Sequence, residues 1–100
     1  MINRKQDGLD EMFDRFSDDY MEFDKIKKKR SNRSDLHAFM LLDELMPSEF
    51  DIIGMTGHKE FWLSIDLDDF CKVANEEIVL ELIRCGIRLD KGRDAFAMFV

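Results

Sequence analysis

The sequence predicts an α+β domain, with an N-terminal helical pair followed by a ββαββ unit that forms a small antiparallel sheet. Three observations lead there. Apolar residues recur at spacings of four and three from Leu9 to Phe23, and again on one side of the run from Leu36 to Met46. From Phe50 the period falls to two, and after Asp66 the helical period returns before two last short apolar runs. The 100 residues make about one domain, divided into a charged amphipathic helix in 1–33, able to stand partly apart, and a globular α+β part in 34–100.

The first helix is expected over about residues 8 to 30, because Leu9, Phe13, Phe16, Tyr20 and Phe23 fall on one stripe that Met12 and Ile26 widen. Early acids and late Lys/Arg residues suit the helix macrodipole. Four aromatic side chains on one helix need cover, either from their own domain or from the same stripe of a second chain in a homodimer. Ser31-Asn32-Arg33-Ser34 breaks the pattern. Ser34 or Asp35 is suited to cap a second helix, which Pro47 prevents from continuing.

Two antiparallel strands are expected at about 50 to 55 and 59 to 65, with a turn in Gly54-Met55-Thr56-Gly57-His58. Asp66 resembles an N-cap, with Asp68 and Asp69 favourable at a positive helix end. Asn75-Glu76-Glu77 is a second start signal, so the segment after Asp66 is one helix or two stacked pieces. Gly86 suits a left-handed C-terminal cap. Beyond it, Ile87-Arg88-Leu89 and Ala95 to Val100 flank the turn Asp90-Lys91-Gly92-Arg93-Asp94. The apolar end is expected to be held in the sheet or offered to a partner.

A composition of 45% hydrophobic and 37% charged residues, with one Pro, excludes a disordered or linker-like chain. No apolar run approaches the roughly 18 residues that span a bilayer. The start Met-Ile-Asn-Arg-Lys-Gln-Asp lacks the apolar stretch of a signal peptide, so a cytoplasmic location is expected. Cys71 and Cys85 belong to the apolar helical pattern, which favours reduced buried thiols over a disulfide.

The formal charge of -7 conceals a sharper arrangement. Residues 7–24 carry a net -7, residues 25–33 a net +6, and residues 34–100 a net -8. Arg4 and Lys5 add a small basic start.

The runs His58-Lys59-Glu60-Phe61-Trp62-Leu63-Ser64-Ile65-Asp66, Leu82-Ile83-Arg84-Cys85-Gly86-Ile87-Arg88-Leu89-Asp90 and Asp94-Ala95-Phe96-Ala97-Met98-Phe99-Val100 resemble short proteins encoded by bacteriophages and prophages. His37-Ala38-Phe39-Met40-Leu41-Leu42-Asp43 fits the same pattern. The resemblance covers about residues 36–100 and implies a phage accessory protein, placed in a host cytoplasm. It carries over no activity and no catalytic residue.

The chemistry on offer is sparse. Asp66, Asp68 and Asp69, with Asp51, offer hard oxygen ligands for magnesium or calcium and metal-assisted phosphoester chemistry. Helix capping explains the cluster better, because it lacks the glycine and ligand spacing of a calcium loop. His37, His58, Cys71 and Cys85 contain no closely spaced zinc-ligand pair. A cysteine with His58 as nucleophile and base is weaker than core packing. No phosphate-cradling loop is present, and no cofactor is expected.

Lys25, Lys27, Lys28, Lys29 and Arg30 form a basic island with three readings: nucleic-acid contact, an acidic protein partner or second copy, or a solvated helix end. The acidic remainder disfavours nucleic acid. Alternation puts Trp62 opposite the core face formed by Phe61, Leu63 and Ile65. There it is covered by a helix, the acidic one being a plausible cover, or it anchors an interface. The expected function is non-enzymatic protein binding through Asp10, Glu11, Asp14, Asp18, Asp19, Glu22 and Trp62, inhibiting or redirecting a host or phage protein by presenting charge like that of a nucleic acid. The alternatives are the metal-assisted enzyme and a nucleic-acid module built on the basic island.

Overall fold

The computed structural model describes residues 8–99. Arg4, Lys5, Asp7 and Val100, which entered the readings of charge and of the last strand, lie outside the described residues.

Among the described residues, four α-helices and a four-stranded antiparallel sheet form an α+β fold. Helix α1 spans Leu9–Arg15, far short of the helix expected to residue 30. Single 3-10 turns follow at Ser17–Asp19 and Phe23–Lys25. A longer helix would stack Asp10, Asp14, Asp18 and Glu22 at intervals of four, where like charges repel. Instead the chain bends at Met21, whose φ of 63° is left-handed. The Met21 N–H donates to the Ile83 carbonyl at 3.1 Å. The stripe still faces inward: Leu9, Met12 and Ile26 are core residues, with Phe13, Phe16, Tyr20 and Phe23 packed against them. Residues 9–30 thus form a strap fastened to the globular part.

Helix α2 spans Ser34–Leu45. Its cap position is Arg33, with no side-chain cap, so neither Ser34 nor Asp35 takes the expected role. Strands β1 (Ile53–Gly57) and β2 (Glu60–Leu63) follow. Gly54 to Gly57, read from sequence as the turn, lie in β1, and the chain reverses through His58 and Lys59, whose φ is 63°. Gly57 faces Trp62: a Cβ there would stand 2.8 Å from the indole ring, so the close approach requires glycine.

The segment after Asp66 is two helices, α3 (Leu67–Val73) and α4 (Glu76–Arg84). Each starts on a side-chain cap: Asp66 Oδ1 accepts the Asp69 N–H at 3.1 Å, and Asn75 Oδ1 accepts the Ile78 N–H at 2.9 Å. At the end of α4, Gly86 has φ 98°. Its N–H bonds the Ile83 carbonyl and that of Ile87 bonds Leu82, both at 3.0 Å, which is a Schellman closure.

Strands β3 (Arg88–Asp90) and β4 (Ala95–Phe99) complete the sheet in the order β1-β2-β4-β3. Trp62 pairs with Ala97 across β2 and β4, and Ala97 with Arg88 across β4 and β3. The helices pack on one face of the sheet. Phe70 meets Phe96 edge-on at 4.9 Å, Phe13 lies 5.7 Å from Phe96, and Phe39 lies 6.1 Å from Phe61. Among the described residues no helix is long and apolar enough to cross a membrane.

Candidate interaction surfaces

Alternation along each strand assigns the second face of the sheet. Phe61, Leu63, Phe96 and Met98 belong to the core side. Glu60, Trp62, Ala97 and Phe99 therefore point the other way, with Arg88 and Asp90 beside them on β3. Among the described residues no helix covers this side. Trp62 is nevertheless only 6% exposed. Its cover comes from the β3–β4 turn: the Arg93 guanidinium lies 4.3 Å from the ring centre. The Trp62 Nε1–H donates to Asp90 Oδ2 at 2.9 Å. That bond, with backbone N–H groups of Arg93 and Gly92 and the charge of Arg88, holds the Asp90 carboxyl below the usual carboxylate range.

A second aromatic and arginine pair sits beside the first. The Arg88 guanidinium lies 4.3 Å from the centre of the Phe99 ring and ion-pairs with Glu60. The acidic helix is thus not the cover of Trp62, because the strap packs on the helical side. The turn Asp90-Lys91-Gly92-Arg93-Asp94 reads locally as a hairpin connection. Alternation within β3 placed Arg88 and Asp90 on one side, and that was the available signal for their part in the cover.

The strap fixes the expected acidic residues, and not as one helical face. Asp10, Glu11 and Asp14 share α1, while Asp18, Asp19 and Glu22 lie beyond its end. Asp14 pairs with Lys91 at 3.3 Å, and Asp19 accepts from Arg84 at 3.3 Å and Lys25 at 3.4 Å. Asp10, Glu11, Asp18 and Glu22 make no ion pair among the described residues. Arg15, at the end of α1, pairs with Glu76 at the start of α4 at 2.6 Å.

The basic island is likewise partly consumed. Lys29 donates to the Ile26 carbonyl at 2.8 Å and lies over the Phe23 ring. Arg30 pairs with Glu44. Lys27 and Lys28 make no ion pair among the described residues. With Lys25 and Arg84 they border a recess of about 250 Å³, which Glu77 and Glu81 also line.

The groups with catalytic potential are dispersed. His37 is fully buried between the Arg30 N–H and Glu81, whereas His58 is exposed in the β1–β2 turn. Both cysteines are buried, and they form no disulfide with each other. Burial, reinforced by Glu81, pushes the Cys85 thiol up to about 12, far from a reactive thiolate. Asp66 is committed as the cap of α3, and Asp69 pairs with Lys72 at 3.4 Å. Among the described residues no three His, Cys, Asp or Glu side chains converge on a metal position.

The chain matches no protein-family model, no curated protein and no solved structure. Its surfaces have to be read from their own chemistry.

Proposed function

We propose that the protein is a non-enzymatic binding protein of the phage-accessory kind, acting in a host cytoplasm. It docks on a host or phage protein and inhibits or redirects it by presenting carboxylates where that partner meets nucleic acid. The observation that carries this reading is the strap. Asp10, Glu11, Asp18 and Glu22 are free of ion pairs among the described residues, yet they belong to a segment anchored by Leu9, Met12 and Ile26 in the core. Ordered, unneutralised carboxylates attract a basic partner over a distance set by ionic strength. The Arg93–Trp62 and Arg88–Phe99 pairs add residue types that dominate protein interfaces, with Phe99 59% exposed.

The test is a quantitative pull-down from bacterial lysate with two baits, the wild type and a variant carrying Asp10→Asn, Glu11→Gln, Asp18→Asn and Glu22→Gln. A protein retained on the first and lost from the second at moderate salt is expected. Equal recovery on both baits, or no recovery on either, defeats the proposal.

A nucleic-acid module is the second reading, favoured by Lys27 and Lys28 beside the recess that Arg84 borders. It predicts binding to a generic duplex at low salt that weakens steeply as salt rises.

A further inference from the structure

His37 sits at the seam between the strap and the body with both ring nitrogens engaged. It is fully buried on α2, its Nδ1 accepts the Arg30 N–H at 3.0 Å, and its Nε2 lies 2.9 Å from Glu81 Oε1 on α4. Phe23, from the strap, meets the ring edge-on at 5.8 Å. Only a neutral imidazole can accept the Arg30 N–H, because the protonated ring donates from both nitrogens.

The segment 27–33 depends on that bond for its place. Before it, Ile26 is fixed in the core, and after it α2 starts at Ser34. Between them the chain forms neither helix nor strand. Its middle is tied to the body at Arg30, through His37 and through an ion pair with Glu44, whose side chain is 62% exposed. An ion pair that open to solvent adds little.

The charges around the ring divide between its two sides. Glu81 faces Nε2, and its charge also reaches the Cys85 thiol one turn along α4. Lys25, Lys27, Lys28, Glu77 and Arg84 border the recess that Glu81 lines. On the strap, the Lys29 ammonium lies over the Phe23 ring, and on α2 Asp35 is paired with Arg33. A proton on the ring is therefore stabilised at Nε2 by a carboxylate, while at Nδ1 it sets one donor against another. It also adds a positive charge beside residues 25–33, which already carry +6.

We propose that His37 is a proton-operated latch for the basic island: protonation breaks the Arg30 bond and releases residues 27–33 from the body, and loss of the proton restores them. Ile26 in the core limits the release to the residues that follow it. The latch is independent of the protein-docking reading, which rests on Asp10, Glu11, Asp18 and Glu22.

The test is a nitrogen-15 NMR titration of the full chain from about pH 8 to about pH 5, the range in which histidines change charge, following the His37 ring and the backbone amides. One shared midpoint is expected for the ring and the amides of residues 27–31, with the Arg30 amide losing its protection from hydrogen exchange while that of Phe70 in the core keeps its own. The exposed His58 is the internal control, and its titration should leave Arg30 unmoved. Glu81→Gln keeps an acceptor for Nε2 but removes the charge, and should lower the shared midpoint by about one pH unit. A His37 ring that stays neutral across the whole range overturns the proposal. So does a ring that titrates while the Arg30 amide remains bonded. Loss of native signals throughout the core at the same midpoint means unfolding in place of release, and overturns it as well. An unmoved midpoint in Glu81→Gln overturns the part given to that carboxylate.

Discussion

His37 donates its Nε2 proton to Glu81 Oε1 across 2.9 Å, because its other ring nitrogen is already taken as the acceptor of the Arg30 N–H at 3.0 Å. The tautomer is therefore set by the backbone of the basic island. One fully buried side chain joins that island to α2 and α4. Nitrogen-15 NMR should find the proton on Nε2, and a proton on Nδ1 would contradict the arrangement. His37→Ala should cost about 1–3 kcal/mol, the usual penalty for stranding buried polar groups, and should accelerate hydrogen exchange at the Arg30 amide.

The bond from Trp62 to Asp90 makes the open face of the sheet sensitive to acid. The folded Asp90 carboxyl lies below its unfolded value, so its contribution to stability is present above the unfolded value, near pH 4. It is lost as the pH falls through the folded value. In denaturation measured by Trp62 fluorescence, the stability difference between wild type and Asp90→Asn should be constant above about pH 5 and shrink below about pH 4. A difference that does not change with pH would refute the assignment.

Leu9 is fully buried in the common core although it opens the strap. Leu9→Ala should lower the stability of the whole domain by about 2–5 kcal/mol in a single cooperative transition. If residues 9–30 unfolded separately, the main transition would stay where it is and a second one would appear.

Cys85 gives the opposite pH dependence. Its folded value is raised, so the contribution is complete below the unfolded thiol value, near pH 8.5, and is lost as the pH climbs toward about 12. Wild-type stability should fall more steeply above about pH 9 than that of Cys85→Ala. Alkylation by iodoacetamide at neutral pH should leave native Cys85 unmodified and label it only after denaturation. Rapid labelling of the native protein would show that the thiol is accessible.

The sequence by itself determined the elements whose causes are local. The caps at Asp66 and Asn75, the glycine closure at Gly86, the stop before Pro47 and the alternation that sends Trp62 away from the core all depend on neighbours within a few residues. The tertiary structure decided where α1 ends, what covers Trp62 and which charges remain unpaired. A four-and-three aromatic spacing is satisfied by a long helix, and equally by a bent strap whose side chains reach the same core. The bend at Met21 is fixed by a bond to Ile83, and the fate of Asp19 by Arg84, both more than sixty residues further along the chain. Arg93 reaches Trp62 only because β3 and β4 bring their turn beside β2. Local periodicity carries no information about such pairings, so the acidic face expected from one continuous helix became a partly neutralised strap.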